Sequence, residues 1–243
     1  RCREYTAPGL LHTAYSFSLL AKPYGSGIVR KNVKEFRDGA KGSWPCWAFS
    51  NHDAERVATR WAPKGKTISA QTKMHHALLA SLWGTVFFYQ GEELGLSDAD
   101  VPFEQLQDPF GKFLWPAKGR DGCRTPMPWT KSKSHAGFSA HEPWLPVPKN
   151  HQSIAVDAQE KDKNAPLHFF RNFMKWRKKY PALVTGDINF LKPSDPVLAF
   201  TRGNIIAVFN MGDKAKTYIL PKGTKPLKGH DLPHKLADNR LAL

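Results

Sequence analysis

The sequence predicts an α/β fold, part of a (β/α)8 TIM barrel joined to a small antiparallel β domain, and three patterns carry that expectation. Strand-like and helix-like runs alternate from Leu10 to Tyr89, as successive βα units require. From Gly186 onward the runs shorten to β-type segments separated by Gly, Pro, Asn and Asp. Between the two regions, residues 91–161 show no clear period and are interrupted by prolines from Pro102 to Pro148, which marks a functional loop or subdomain. A complete barrel takes about 250 residues. With roughly a quarter of the 243 residues in the terminal β segment, a whole eight-stranded barrel does not also fit.

Taken in order, Leu10 to Leu20 reads as a strand and a loop, and the basic segment Lys31 to Lys41 as a short helix. The apolar run Trp44 to Phe49 is the next strand. From Thr67, a helical stripe runs through Ile68, Gln71, Met74, Leu78 and Leu82, with Thr67 or Ser69 as its N-cap. Gly84 ends that helix and opens the strand Thr85 to Tyr89. This order puts Asp53 and Gln90 at the same C-terminal face of the barrel strands. Leu167 to Tyr180 is an amphipathic helix with Leu167, Phe170, Phe173, Met174 and Arg177 at core spacing, Asn164 or Pro166 near its start, and Pro181 stopping it. Four β-type runs follow: Ile188 to Leu191, Val197 to Thr201, Ile205 to Asn210 and Thr217 to Leu220. The expected division is residues 1–183 for the barrel portion, with its long loop at about 91–161, and residues 184–243 for the β domain.

Composition narrows the class. Hydrophobic content of 41% with 23% charged residues belongs to a core-forming chain. The net charge of +15 raises the question of an anionic partner, but the cations are scattered. The densest cluster, Lys175 to Lys179, closes a helix, where cations complement the helix dipole on a solvated face. Neither a nucleic-acid nor a membrane partner is therefore expected. Cys2, Cys46 and Cys123 are odd in number and lack a CxxC spacing, so they imply neither a disulfide framework nor a zinc site and fit a reducing, cytoplasmic setting. No apolar run approaches the ~20 residues of a membrane span. Most aromatics lie in strand or helix patterns and read as core. Trp115, Trp129 and Trp144, in the long loop, are candidates for a pocket wall.

The chemistry is concentrated in three motifs. Phe49-Ser50-Asn51-His52-Asp53 sets a histidine and a carboxylate side by side beyond an apolar strand. Held there, an Asp accepts hydrogen bonds from two vicinal hydroxyls while a His donates to a third polar position, an arrangement suited to a small sugar. Gly84 to Gly95 (GTVFFYQGEELG) and Arg120 to Trp129 (RDGCRTPMPW) follow downstream.

This ordered trio resembles the α-amylase superfamily of retaining glycoside hydrolases (glycoside hydrolase family 13), and within it the exo-acting α-glucosidases and oligo-1,6-glucosidases. Arg3 to Leu20, Ala136 to Val147 and Leu167 to Phe200 share the likeness, which runs nearly end to end. The resemblance implies the C-terminal part of the barrel, beginning after the fifth strand. It implies that Asp53 binds the hydroxyls next to the reacting carbon and stabilises the transition state, and that His52 donates to a glucose hydroxyl. In exo-acting relatives an arginine of the loop after the eighth strand pairs with an acidic residue from early in the barrel and blocks the pocket beyond the terminal glucose. Arg120 and Arg124 are the candidates, with a preference for Arg124, while Asp121 is an alternative internal partner of either. The family's nucleophile Asp and acid/base Glu precede Arg1, so the chain reads as the C-terminal half of a longer enzyme and is expected to be inactive alone. Its last residues, Asn239 to Leu243, read as a strand of an incomplete β domain. No cofactor is expected, since family calcium ligands, where present, also lie upstream.

Other polar residues have blander readings. Asp53 is also placed to cap a strand-end turn, and His52 to serve structure alone. Asn51 faces the other way along the strand and reads as a packing or backbone-bonding residue. Arg56 and Arg60 read as structural ion-pair partners, and Glu92 with Glu93 as braces of the following loop. His75 and His76 are adjacent on a helix and diverge by about 100°, unlike the i, i+4 spacing of a metal site, so surface and packing roles are expected. The expected activity of the parent protein is release of glucose from maltose, sucrose or short oligosaccharides. A glucosyl-transferring relative and a non-catalytic barrel scaffold are the alternatives.

Overall fold

The computed structural model describes residues 2–7, 9–21, 23–40, 42–62, 68–117, 119–192 and 194–243. In chain order, a short helix α1 (Cys2–Tyr5) precedes strand β1 (Ala14–Ser16), helix α2 (Ser26–Gly39), strand β2 (Pro45–Ala48), helices α3 (Val57–Arg60) and α4 (Ile68–Ser81), and strand β3 (Thr85–Phe87). The long middle segment carries only short helices, α5 (Pro109–Phe113), α6 (Lys149–Ser153) and α7 (Val156–Glu160), and then α8 (Pro166–Arg177) and α9 (Pro181–Val184) follow. Six strands close the chain: β4 (Ile188–Phe190), β5 (Val197–Arg202), β6 (Ile205–Asn210), β7 (Thr217–Ile219), β8 (Lys235–Ala237) and β9 (Arg240–Ala242). The chain forms two compact units, one of the residues up to Trp47, Met74–Phe87 and Asn172–Leu243, the other of Ala48–Lys73 and Phe88–Arg171.

In the first unit, β2 lies between β1 and β3. It pairs in parallel with β1 in the register Ala14↔Pro45, Tyr15↔Cys46 and Ser16↔Trp47. All four β2 residues are buried, the mark of a parallel strand covered on both faces, which is why the run from Trp44 to Phe49 does not alternate. The Trp47 indole donates to the Trp83 carbonyl at 2.6 Å. Gly84 has φ +121, and a Cβ there would lie 2.7 Å from both Cγ and the carbonyl oxygen of Pro45. The third strand can leave the turn only through a glycine. Helix α2 is longer than the short helix expected at Lys31 and begins at Ser26. Val29 and Val33, one turn apart, are fully buried, so its apolar stripe is narrow and masked by neighbouring lysines.

Helix α4 differs from its expected single stripe: Ala77, Leu78, Leu79 and Ala80 are all fully buried, and His75 and His76 are buried beside them and have no surface role. Thr67, an N-cap candidate, lies outside the described residues. Ser69 sits inside the helix. Helix α8 starts at Pro166, as its missing N–H allows, and buries Leu167, Phe169, Phe173 and Arg177. The Arg177 Nε donates to the Ala80 carbonyl at 2.6 Å.

The C-terminal strands form two antiparallel sheets, β4-β5-β6 and β7-β9-β8. Val197 and Ala199 of the first share a core with Tyr218 and Leu241 of the second and with Leu220, a small sandwich with alternate residues facing inward. Strands β8 and β9 hold three residues each, too few to show a period in sequence.

In the second unit, residues 91–161 are held by two small cores, one of Leu94, Leu96, Met127 and Leu167, the other of Ala99, Val101, Leu106 and Leu145. Gln159 ties them to α8: its amide donates to the Leu94 carbonyl at 2.8 Å and accepts from the Leu167 N–H at 3.1 Å. Helices of five residues are shorter than two turns and leave no readable period. Among the described residues no helix is long and apolar enough to cross a membrane.

Candidate functional site

The segment after β2 is folded by side chains capping backbone groups. The Asn51 side-chain oxygen accepts from the N–H groups of Asp53 at 2.9 Å and Ala54 at 2.8 Å, an Asx-type turn that fixes the Asp53 backbone. The Ser50 hydroxyl accepts from the Val57 N–H at 2.8 Å. Arg60 gathers the segment from within, donating to the carbonyls of Phe49 and Glu55.

Arg56 is fully buried. Its guanidinium donates to the Gln90 carbonyl at 2.7 Å and stands 4.9 Å from the Tyr89 ring centre, while its N–H donates to Asp98 at 2.6 Å. A Cβ on Gly91 would come within 2.9 Å of Nη1 of that arginine, so the glycine makes room for it. These bonds bring the Asp53 segment and the Gln90 segment together. Glu92 is buried, and loss of water raises its pKa to about 8, against the pull of Ser50 and Arg56. The Glu93 carboxylate accepts from the Gly91 N–H at 2.8 Å. The acidic pair braces the loop.

Asp53 stands at the centre of a polar cluster. Its Oδ1 accepts from Arg124 Nη2 at 2.9 Å and from Arg120 Nη1 at 3.3 Å, and its Oδ2 lies 3.4 Å from His52 Nε2. Arg124 Nε donates to the His52 carbonyl at 2.7 Å. Side-chain exposures of 68% for His52, 50% for Asp53, 39% for Arg120 and 20% for Arg124 leave the cluster open to a ligand. All four residues singled out in the sequence thus meet at one carboxylate. Such an array combines acceptors and charged donors within reach of adjacent hydroxyls.

A further carboxylate takes part that the sequence reading passed over. Asp108 accepts from Arg120 through Nε at 2.9 Å and Nη2 at 2.8 Å, and from the Arg120 N–H at 3.0 Å. These bonds hold the Asp108 carboxyl well below the usual carboxylate range and raise the Arg120 guanidinium above its own. Asp121, considered as the partner of either arginine, instead accepts from the N–H groups of Gln107 at 2.7 Å and Asp108 at 2.9 Å. The signal for Asp108 was half visible: Asp108-Pro109 is an N-cap followed by an N1 proline, and its side chain does cap α5 through the Phe110 N–H. Trp115, Trp129 and Trp144 are half-exposed or more, and Trp115 packs edge-on against Phe103 with ring centres 5.5 Å apart. Among the described residues, no group of three or more His, Cys, Asp or Glu is arranged to hold a metal ion, and the three cysteines are free.

Comparison with known proteins identifies the family. The family model "Alpha amylase, catalytic domain" matches residues 13–186. A probable alpha-glucosidase of Rhizobium meliloti (strain 1021) is 43% identical over 248 residues, which cover 99% of this chain and 45% of the relative. An oligo-1,6-glucosidase of Parageobacillus thermoglucosidasius is 29% identical, over 82% of this chain and 40% of its own length. Among solved structures, the α-glucosyl transfer enzyme XgtA superposes with a TM-score of 0.92 at 42% identity, over 100% of this chain and 46% of that one. The chain spans about half the length of the curated relatives it matches.

Proposed function

We propose that this chain, which belongs to the α-amylase catalytic-domain family, forms the C-terminal part of the (β/α)8 barrel of a retaining exo-α-glucosidase, with its terminal β domain. Residues 1–183 are the barrel portion and residues 184–243 the β domain. The complete protein removes terminal glucose from maltose, sucrose or short oligosaccharides in the cytoplasm.

The observation that carries this reading is the Asp53 carboxylate, presented to solvent beside His52 and tied to Arg120 and Arg124. Retaining hydrolysis passes through an oxocarbenium-like transition state, in which hydrogen bonds to the hydroxyls beside the anomeric carbon strengthen. Asp53 accepts those bonds and so binds the transition state more tightly than the ground state. The adjacent guanidinium groups orient it. His52 donates from the same edge of the pocket, and one of the two arginines bounds the pocket beyond the terminal glucose. The nucleophile and the acid/base, two carboxyl groups about 5 Å apart, come from residues outside this chain, so the 243-residue chain alone has no glucosidase activity.

A second reading is glucosyl transfer to an alcohol acceptor. It is supported by the 42% identity to an α-glucosyl transfer enzyme and differs only in whether water or an acceptor takes the glucosyl group. The test is to follow p-nitrophenyl α-glucoside with the complete protein, reading the anomeric form of the released sugar and its division between water and an added alcohol. Glucose released first as the α-anomer is expected, and Asp53→Asn is expected to lower kcat on the order of 10²–10³-fold, the scale of losing one transition-state hydrogen bond. A complete protein that folds and binds glucosides without cleaving them would instead be a scaffold.

A further inference from the structure

Arg120 and Arg124 both touch Asp53, but the protein holds them differently. Arg124 spends Nε on the His52 carbonyl and Nη2 on Asp53, and its side chain is the less exposed of the two. Arg120 is gripped along its opposite edge, Nε and Nη2, by both oxygens of Asp108, a carboxylate with 0% side-chain exposure. That bidentate fork fixes the guanidinium plane and leaves Nη1 directed at Asp53.

The loop is built to make this grip. Asp121 accepts the Gln107 and Asp108 N–H groups, and the Asp108 carboxylate caps α5. Gly111 and Gly119 meet backbone to backbone: a Cβ on Gly119 would lie 2.4 Å from the Gly111 Cα and 3.2 Å from Asp108 Oδ2. No larger residue at position 119 lets the segment between Asp108 and Arg120 close.

We propose that Asp108 is a positioning residue whose buried carboxylate clasps Arg120 in place over Asp53. The proposal rests on the sugar-site reading above. A free arginine side chain loses substantial rotamer entropy when it is ordered on a ligand. With the clasp, that ordering precedes binding, so substrate meets an Nη1 donor already in position. Loss of the clasp therefore weakens binding more than it slows the bond-breaking step.

The test uses the complete protein with Asp108→Asn, Arg120→Gln, the double variant and Gly119→Ala, which opens the clasp without removing a polar group. On p-nitrophenyl α-glucoside, D108N and G119A are each expected to raise KM about tenfold, the scale of immobilising one long side chain, with a smaller change in kcat. In the R120Q background the same changes should add less than about twofold, because the partner through which they act is gone. Equal effects in both backgrounds, or an unchanged KM in a folded D108N protein, would overturn the proposal. A readout independent of turnover is the slowly exchanging Arg120 Nε–H resonance, identified by its absence in R120Q. It should vanish in D108N and G119A, and its persistence contradicts the clasp. Should D108N not fold, the G119A and R120Q cycle decides alone. A wild-type protein without turnover counts against the sugar-site reading, whereas the resonance still tests the clasp.

Discussion

Glu92 shows how surroundings set the protonation of a carboxyl group. Read from sequence as a brace of the loop together with Glu93, it is buried against Ser50 and Arg56, with its pKa raised to about 8 by loss of water. An unfolded chain releases that proton near the ordinary value of 4.5. Between the two values the unfolded state holds fewer protons than the folded one, so this residue makes stability fall as pH rises from about 4.5 to about 8. Glu92→Gln is expected to remove that slope. In urea unfolding at pH 8 the variant should gain on the order of a few kcal/mol relative to its difference from wild type at pH 5. An identical difference at both pH values would show that Glu92 is ionised in the fold. The neighbouring motif residues were legible for a different reason. His52, Asp53, Arg120 and Arg124 follow short, residue-specific patterns, and the structure brings them to one point. Asp108 was not, because its partner Arg120 lies twelve positions away across a loop without a period, where only the backbone closure at Gly111 and Gly119 makes them neighbours.

Among the elements, those with a long apolar period were readable and those set by local caps were not. The strands β5 and β6 agree with their patterns to within one residue, and helix α8 starts one residue before and ends three residues short of its expected span, because their apolar runs are long enough to carry a period. Helix α4 was readable as a helix but not in its burial, since a helix covered all round gives no contrast between faces. The turn between α4 and β3 depends on one residue. Gly84 combines φ +121 with an approach to Pro45 that leaves no space for a methyl group, and the Trp47 indole donates to Trp83 beside it. Gly84→Ala is therefore expected to destabilise the β1-β2-β3 sheet by about 2–4 kcal/mol, the sum of backbone strain and overpacking. The urea midpoint should fall with an unchanged m-value. A midpoint within error of wild type would mean that the turn relaxes at no cost.

At the scale of the whole molecule, each unit is assembled from separated stretches of chain, and buried arginines serve as its staples. In the first unit Arg202, fully buried on β5, donates to the carbonyls of Gly186, Ser81 and Leu82, while Arg177 reaches Ala80. Burial lowers the pKa of Arg202 to about 10, which leaves it charged at neutral pH. The Ser81 and Leu82 carbonyls it satisfies end α4, where a cation also meets the helix dipole. In the second unit the buried Arg56 and the half-buried Arg60 tie together the segments around Asp53 and Gln90. From sequence these two read as ion-pair partners, and Glu92, Glu55 and Asp98 do act on Arg60; their bonds to main-chain carbonyls are not legible there because carbonyls carry no sequence label. What the second unit so fixes is the cluster around Asp53, which is proposed to hold the terminal glucose of a glucoside. The most direct measurement is a crystal structure of the complete protein with glucose bound. Asp53 carboxylate oxygens are expected within hydrogen-bonding distance of two adjacent sugar hydroxyls, with His52 Nε2 and Arg120 Nη1 at the same ring. Glucose bound elsewhere, with Asp53 still paired only to its arginines, would contradict it.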